Sequence, residues 1–248
     1  MIALLIAAAL VYAGAVFRLR RRGVDWPPGR ALAWYLGIAA AVAVPGHAHT
    51  FRDHMIGHLV LGMGAPLLLV LARPVTLALR ALPVRAARRL ARALRSRPVV
   101  VLTHPVTAGV LDAGGLVVLY TTGLHSGGFL VGLHLLLTGY LFTAAAVGRD
   151  PAPHRPGPAV RSAVLIAFIA VHGILAKHLY GHPPPGVPAA EAEQAAQLMY
   201  YGGDLLHLAV IVLLCRELFP SPTRAWRLPP SPAPAACHNS PVTAKSSA

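Results

Sequence analysis

Apolar residues along this chain come mostly as long unbroken runs, with polar residues confined to the gaps between them. Met1 to Phe17 is almost wholly apolar and ends on Arg18-Leu-Arg-Arg-Arg22. Further runs cover about 31–44, 53–72, 98–120, 125–147, 159–180 and 198–219. At a rise of about 1.5 Å per residue, roughly 20 apolar residues cross a bilayer. The pattern therefore predicts an all-α, polytopic membrane helix bundle of about seven transmembrane helices within residues 1–219. The second run is short and closes on Pro45-Gly46. Pro66, inside the third, predicts a kink or a loosened hydrogen-bond ladder, which neighbouring helices tolerate. The stretch from Gly181 to Gln197, rich in Pro and Ala, reads as a loop. From Pro220 the chain is rich in Pro, Ala and Ser, so 220–248 is expected to be a disordered cytoplasmic tail.

One segment departs from this pattern. Within 73–97 lie eight arginines, and Val84, Ala87, Leu90, Ala91 and Leu94 recur at three- and four-residue spacing opposite Arg85, Arg88, Arg89, Arg92 and Arg95. This predicts a basic amphipathic helix over about 84–97, lying on the anionic inner leaflet of the bilayer.

Charge fixes the expected orientation. A formal net charge of +14 would point to nucleic acid in a soluble protein. Here twenty of the 22 basic residues fall in 18–30, 73–97, 148–161 and 216–248. Those segments all lie on one side of a seven-span topology, which by the positive-inside rule puts the N-terminus outside and the C-terminus in the cytoplasm. The distribution argues against a nucleic-acid partner. A signal peptide carries its basic residues before the apolar run, so the first run reads as an uncleaved span; cleavage near Ala13-Gly14-Ala15 is the alternative. Cys215 and Cys237 form no disulfide framework and no metal-type pair.

Thirteen histidines remain to be explained. Under this topology His154 and His238 are cytoplasmic and His104 lies in the inner half of its span. The other ten are on the outer side: His47, His49, His54, His58, His125, His134, His172, His178, His182 and His207. Bilayer stability does not ask for that asymmetry, because ionisable groups within spans are costly and usually face the bundle interior. His54 and His58 are four apart and share a helix face. Helix rise puts His58, His134, His172, His207 and Asp112 about 8–14 Å below the outer surface. If the polar faces all turn inward, five helices contribute to one layer. Asp204 is expected on the same face as His207.

Imidazole suits copper, zinc, iron and nickel, and thioethers favour Cu(I); Met55, Met63 and Met199 lie near the same side. The candidate metal ligands are His54, His58, His134, His172, His207 and Asp204, with His47, His49, His125, Asp112 and Met55 secondary. The bland alternative for each is a hydrogen-bonding residue between helices. That is the reading for His104, which precedes Pro105 and is expected to bond a carbonyl freed by it. His178 and His182, at headgroup level, read as loop residues or an entry path.

Several stretches carry a resemblance. His54-Met-Ile-Gly-His58, Gly64-Ala-Pro-Leu-Leu-Leu-Val-Leu71 and Arg73-Pro-Val-Thr-Leu-Ala-Leu-Arg-Ala-Leu-Pro83 resemble the CtaG-type, multi-span cytochrome c oxidase assembly factors. The likeness extends to His134-Leu-Leu-Leu-Thr-Gly-Tyr-Leu-Phe142, Gly148-Arg-Asp-Pro151, His172, Glu193-Gln194 and Tyr200-Tyr-Gly-Gly-Asp204. The sequence departs from the family pattern in Phe142-Thr-Ala-Ala-Ala and in Tyr200, where Trp is commoner. The resemblance implies a bacterial plasma-membrane protein that matures a haem–copper oxidase, with the oxidase subunits as partners and copper as the metal. Carried over residue by residue, it points to His54, His58, His134 and His172, and more weakly to Asp204 and His207.

Two other functions compete. A copper or cation permease needs polar residues through the inner half, where only His104 and Thr103 lie. A membrane cytochrome would hold haem between His134 and His172 or His207. No Ser/His/Asp set or HExxH motif is present, so enzymatic function is not expected.

Overall fold

A computed structural model describes residues 1–44, 50–122, 128–152 and 154–219. The tail from 220, and with it the expected disorder, lies outside the described residues, as do His47, His49 and His125. Among the described residues every regular element is helical. The elements are α1 (Ile2–Arg21), α2 (Pro28–Ala43), α3 (Phe51–Leu59), a π-helical turn (Val60–Gly64), α4 (Ala65–Leu71), α5 (Pro74–Ala81) and α6 (Val84–Leu94). They continue with α7 (Arg97–Leu102), α8 (Pro105–Thr121), α9 (Phe129–Val147), α10 (Pro158–Gly181) and α11 (Ala189–Leu218).

Among the described residues, five helical stretches are long and apolar enough to cross a membrane: Ile2–Arg21, Phe51–Ala81, Phe129–Val147, Pro158–Gly181 and Ala189–Leu218. The α2 and α8 helices, at 16 and 17 residues, are shorter. Outward faces carry Leu10, Val110, Leu130, Ile166, Ile174 and Leu205, all well exposed. So much exposed apolar surface matches lipid better than water.

The stretch from α3 to α4 forms the centre of the bundle, packed by α2, α9 and α11. Pro66 has no N–H to offer the Gly62 carbonyl, four residues back. The ladder is loosened as expected, through the wider π turn just before the proline. On α9, Gly139 lies directly against that Gly62 carbonyl, and any β-carbon at 139 would collide with it. Glycine is required there by close backbone approach.

The arginine-rich end is tied down by polar contacts. Arg73 takes a left-handed conformation (φ 53°) and breaks the chain direction between α4 and α5. Asp150, from the loop after α9, then caps α5. It accepts from the Val75 and Thr76 N–H groups at 3.2 and 2.8 Å, and from the Thr76 hydroxyl at 2.5 Å. On α10, buried Arg161 donates to Glu217 at 2.9 and 3.1 Å and to the Ala146 carbonyl at 3.0 Å. Tyr12 donates to the Ala72 carbonyl at 3.0 Å, accepts from Trp26 at 2.9 Å and stacks on Trp34, joining α1 and α2 to the end of α4.

Four expectations need correction. The apolar run 98–120 is divided into α7 and α8, because the residue before a proline avoids the helical region; His104 is extended there (ψ 132°). Its Nδ1 accepts from the Val106 N–H at 3.3 Å, so it caps α8 instead of bonding a freed carbonyl. The expected loop to Gln197 is already helical from Ala189, since Ala-Ala-Glu-Ala-Glu-Gln-Ala-Ala is a strong helix-forming run. The basic helix ends at Leu94 rather than near 97. Its five arginines are exposed and Ala87, Leu90, Ala91 and Leu94 are half-buried as the stripe requires, while Val84 is exposed.

Candidate functional site

Thr50 starts α3, its hydroxyl accepting from the Asp53 N–H at 3.0 Å. Glu191 of α11 accepts from the Phe51 N–H at 2.6 Å and fixes α11 to the same helix start. One turn apart along α3, His54 and His58 then turn into the bundle, 8% and 1% exposed. His172 of α10 and His207 of α11 reach the same place and are equally buried, at 2% and 3%.

The closest pair is His58 and His172, with Nε2 atoms 3.3 Å apart and ring centroids 5.6 Å apart. His207 stands edge-on to His172 at 5.0 Å between centroids. Phe168 floors the cluster, packing against both His172 and His207. Tyr120 of α8 presents its ring to His54 and His58 at 5.6 and 6.0 Å, and its hydroxyl donates to the Met55 sulfur at 3.4 Å. The space for the His172 ring comes from a glycine. A β-carbon at Gly203 would run into the His172 ring, whereas one at Gly62 would make only an ordinary contact with His58.

Asp112 is buried on α8 and accepts from Thr138 at 3.0 Å. It shares a small cavity, about 10 Å³, with His207, Met63 and Phe168. That is room for roughly one water molecule.

Other expected ligands are not gathered. His134 is exposed on the outer face of α9, against Gly115 of α8, where a β-carbon would meet its Nε2. Asp204 is exposed, although it is one turn from buried His207. The inward-facing layer is therefore built by α3, α8, α10 and α11, with α9 contributing Thr138 rather than His134. The pairing of His134 with His172 or His207 around a haem is not assembled. Tyr120 and Glu191 are site residues that sequence reasoning missed. Glu191 had one signal, an acidic side chain in the first turn of an alanine-rich helix.

Whether these residues suit a metal ion can be judged from the donors. Among the described residues, no three His, Cys, Asp or Glu side chains form a ready ligand set. Yet His58 Nδ1 and both nitrogens of His207 are buried without a hydrogen-bond partner. Unsatisfied buried polar atoms are rare and costly. The two Nε2 atoms of His58 and His172 share a hydrogen bond at 3.3 Å, a separation also spanned by two nitrogens bound at about 2.0 Å to one tetrahedral ion. The donor set fits an imidazole-binding ion held by a close pair, with His207 beside it.

The chain resembles an uncharacterised protein of Mycobacterium bovis and another of Mycobacterium tuberculosis. Each is 39% identical over 187 residues, covering 67% of this chain and 28% of the relative. An uncharacterised protein of Mycobacterium leprae is 35% identical over the same coverage. The chain thus spans just over a quarter of the length of these relatives. No solved structure matches it. The family model for the cytochrome c oxidase caa3 assembly factor matches residues 10–221, which takes in all of the bundle but the start of α1, and every histidine of the cluster. The chain belongs to the cytochrome c oxidase caa3 assembly factor family.

Proposed function

We infer that the protein is a non-catalytic assembly factor of the bacterial plasma membrane that takes part in maturing a haem–copper oxidase. It does so by holding copper on the outer side before the ion passes to an oxidase subunit. The observation that carries this reading is the buried His58–His172 pair at 3.3 Å, beside His207 with both nitrogens unpartnered. Copper here is cargo, and imidazole ligands suit it. His58 and His172 would hold the ion, His207 would complete the set, and His54, nearer the start of α3, would pass the ion inward. Met55 and Tyr120 would keep the site dry.

The topology belongs to the same reading. Seven crossings by α1, α2, α3–α4, α8, α9, α10 and α11 put the arginine-rich end in the cytoplasm. The histidines then lie nearer the outside, where a periplasmic or extracytoplasmic copper supply would meet them.

Metal analysis tests the proposal. Detergent-purified protein exposed to Cu(I) should retain about one ion per chain, since a buried imidazole set favours copper. The paired change His58→Leu with His172→Leu should abolish that retention. A deletion strain should lose oxidase activity and regain it from the wild-type chain but not from the paired variant. Wild-type protein that retains no copper would remove the copper step, and unchanged oxidase activity in the deletion strain would remove the assembly role. Copper uptake by proteoliposomes would favour the permease instead.

A further inference from the structure

The arginine-rich end contains a second cavity, unrelated to the histidines. It is a groove of about 200 Å³ between α7, α9 and the loop that joins α9 to α10. The groove exists because α6 and α7 sit off the bundle: neither has a buried residue, and α7 packs mainly on its chain neighbours α6 and α8. Val70, Leu94, Val99, Val100 and Leu141 form an apolar wall. Arg155 and His154 stand at its loop side.

The charge around this groove is not balanced. Arg155 and Arg161 share a single carboxylate, Glu217, at 3.2 and 2.9 Å. Asp150 also lines the groove, but its oxygens turn to three neutral donors of α5 and it forms no ion pair with Arg155 or Arg161. The Nε atoms of both Arg155 and Arg161 are buried with no acceptor, and Arg155, which also reaches the Ala146 carbonyl at 3.4 Å, is the one of the two that lines the groove. Burial, with Arg161 nearby, pulls the Arg155 guanidinium below its usual range. Along the same edge α6 and the residue that caps it expose Arg85, Arg88, Arg89, Arg92 and Arg95, while its Leu94 enters the groove wall. An apolar slot with an under-compensated guanidinium at its mouth calls for a ligand with an alkyl chain and an anionic head.

We propose that this groove binds one anionic phospholipid, its acyl chain along Val99, Val100 and Leu141 and its phosphate at Arg155. Guanidinium pairs well with phosphate oxygens through parallel N–H donors. The bound lipid clamps the α6–α7 hairpin against α9 and supplies the negative charge that Glu217 cannot give to two arginines. A free phosphate satisfies the arginine but leaves the apolar wall empty, so the chain is part of recognition.

Native mass spectrometry of the detergent-purified full chain tests this, using phosphatidylglycerol and phosphatidylcholine with identical acyl chains and inorganic phosphate as competitor. The expected result is one retained phosphatidylglycerol, preferred roughly tenfold over phosphatidylcholine, as one or two arginine contacts would give. Millimolar phosphate should not displace it. Arg155→Gln should bring the two lipids to near-equal retention; Arg161 keeps its Glu217 contacts in that variant. Val100→Trp, which fills the slot, should lower retention of both. Equal retention of the two lipids by the wild type would overturn the proposal, as would displacement by phosphate. So would a preference unchanged in both variants, which would assign it to the exposed arginines of α6.

Discussion

The two polar regions of this bundle are built on opposite principles. At the arginine-rich end the polar groups mostly find partners: Asp150 accepts three donors, Arg161 reaches a carboxylate and a carbonyl, and Tyr12 both donates and accepts. There single nitrogens of otherwise bonded side chains, such as Arg155 Nε and Arg161 Nε, go without, whereas in the histidine layer His207 has neither ring nitrogen partnered and His58 lacks a partner at Nδ1. Low dielectric makes every unsatisfied group expensive, so the first region reads as fastening and the second as a site kept ready for a ligand.

That contrast can be broken by mutation, with thermal midpoints in detergent as the measure. The largest loss is expected where the fastening is pure backbone contact. Gly139→Val drives a side chain into the Gly62 carbonyl, which cannot move without unwinding the π turn, and should cost about 3 kcal/mol or more; a variant as stable as wild type would mean α9 and the turn are not in contact. Glu217→Ala strands Arg161, which is 4% exposed. Because Glu217 itself is partly solvated, the loss should be about 2–3 kcal/mol rather than the full value for a wholly buried pair, and no loss would dissolve the claim that this end fastens the bundle. Tyr12→Phe deletes a hydroxyl with two partners and should cost about 1–2 kcal/mol. The paired change His58→Leu with His172→Leu replaces two polar groups by apolar ones at once, and should shift stability by less than about 1 kcal/mol while copper retention is lost. A large destabilisation there would turn the histidines into structural residues and erase the contrast.

Much of the architecture was legible because lipid-spanning helices need long apolar runs, and those are visible without any partner information. The His54–His58 pair, His172 and His207 were legible for the same reason, as costly residues in an apolar setting. Facing was harder. On α9 the buried positions Leu135, Thr138, Gly139, Phe142, Ala145 and Ala146 follow three- and four-residue spacing; His134, four before Thr138, keeps that spacing and is nevertheless exposed, so spacing alone did not reveal its facing. On α11 the stripe Met199, Gly203, His207, Val210, Leu214 leaves Asp204 outside. In a membrane both faces of a helix are apolar, so the usual contrast that marks the inner face is weak. Small residues carried the remaining signal: the glycines at 139 and 203 mark where helices approach closely. The fastening contacts of Asp150, Glu191 and Glu217 were not legible, since each pairs across 56 to 140 residues of chain.

The π turn at Val60–Gly64 also sets the phase of the central helix. A π turn is in effect one residue inserted into an α-helix, and one residue is about 100° of rotation. The half bearing His54 and His58 and the half bearing Pro66 and Leu69 thus point in directions that an uninterrupted helix would not allow together. Removing one residue from 60–64 would change the register across the turn and swing the histidines away from His172 while leaving composition and length almost untouched. The register of a single helix, rather than any one ligand, decides whether this bundle has a centre at all.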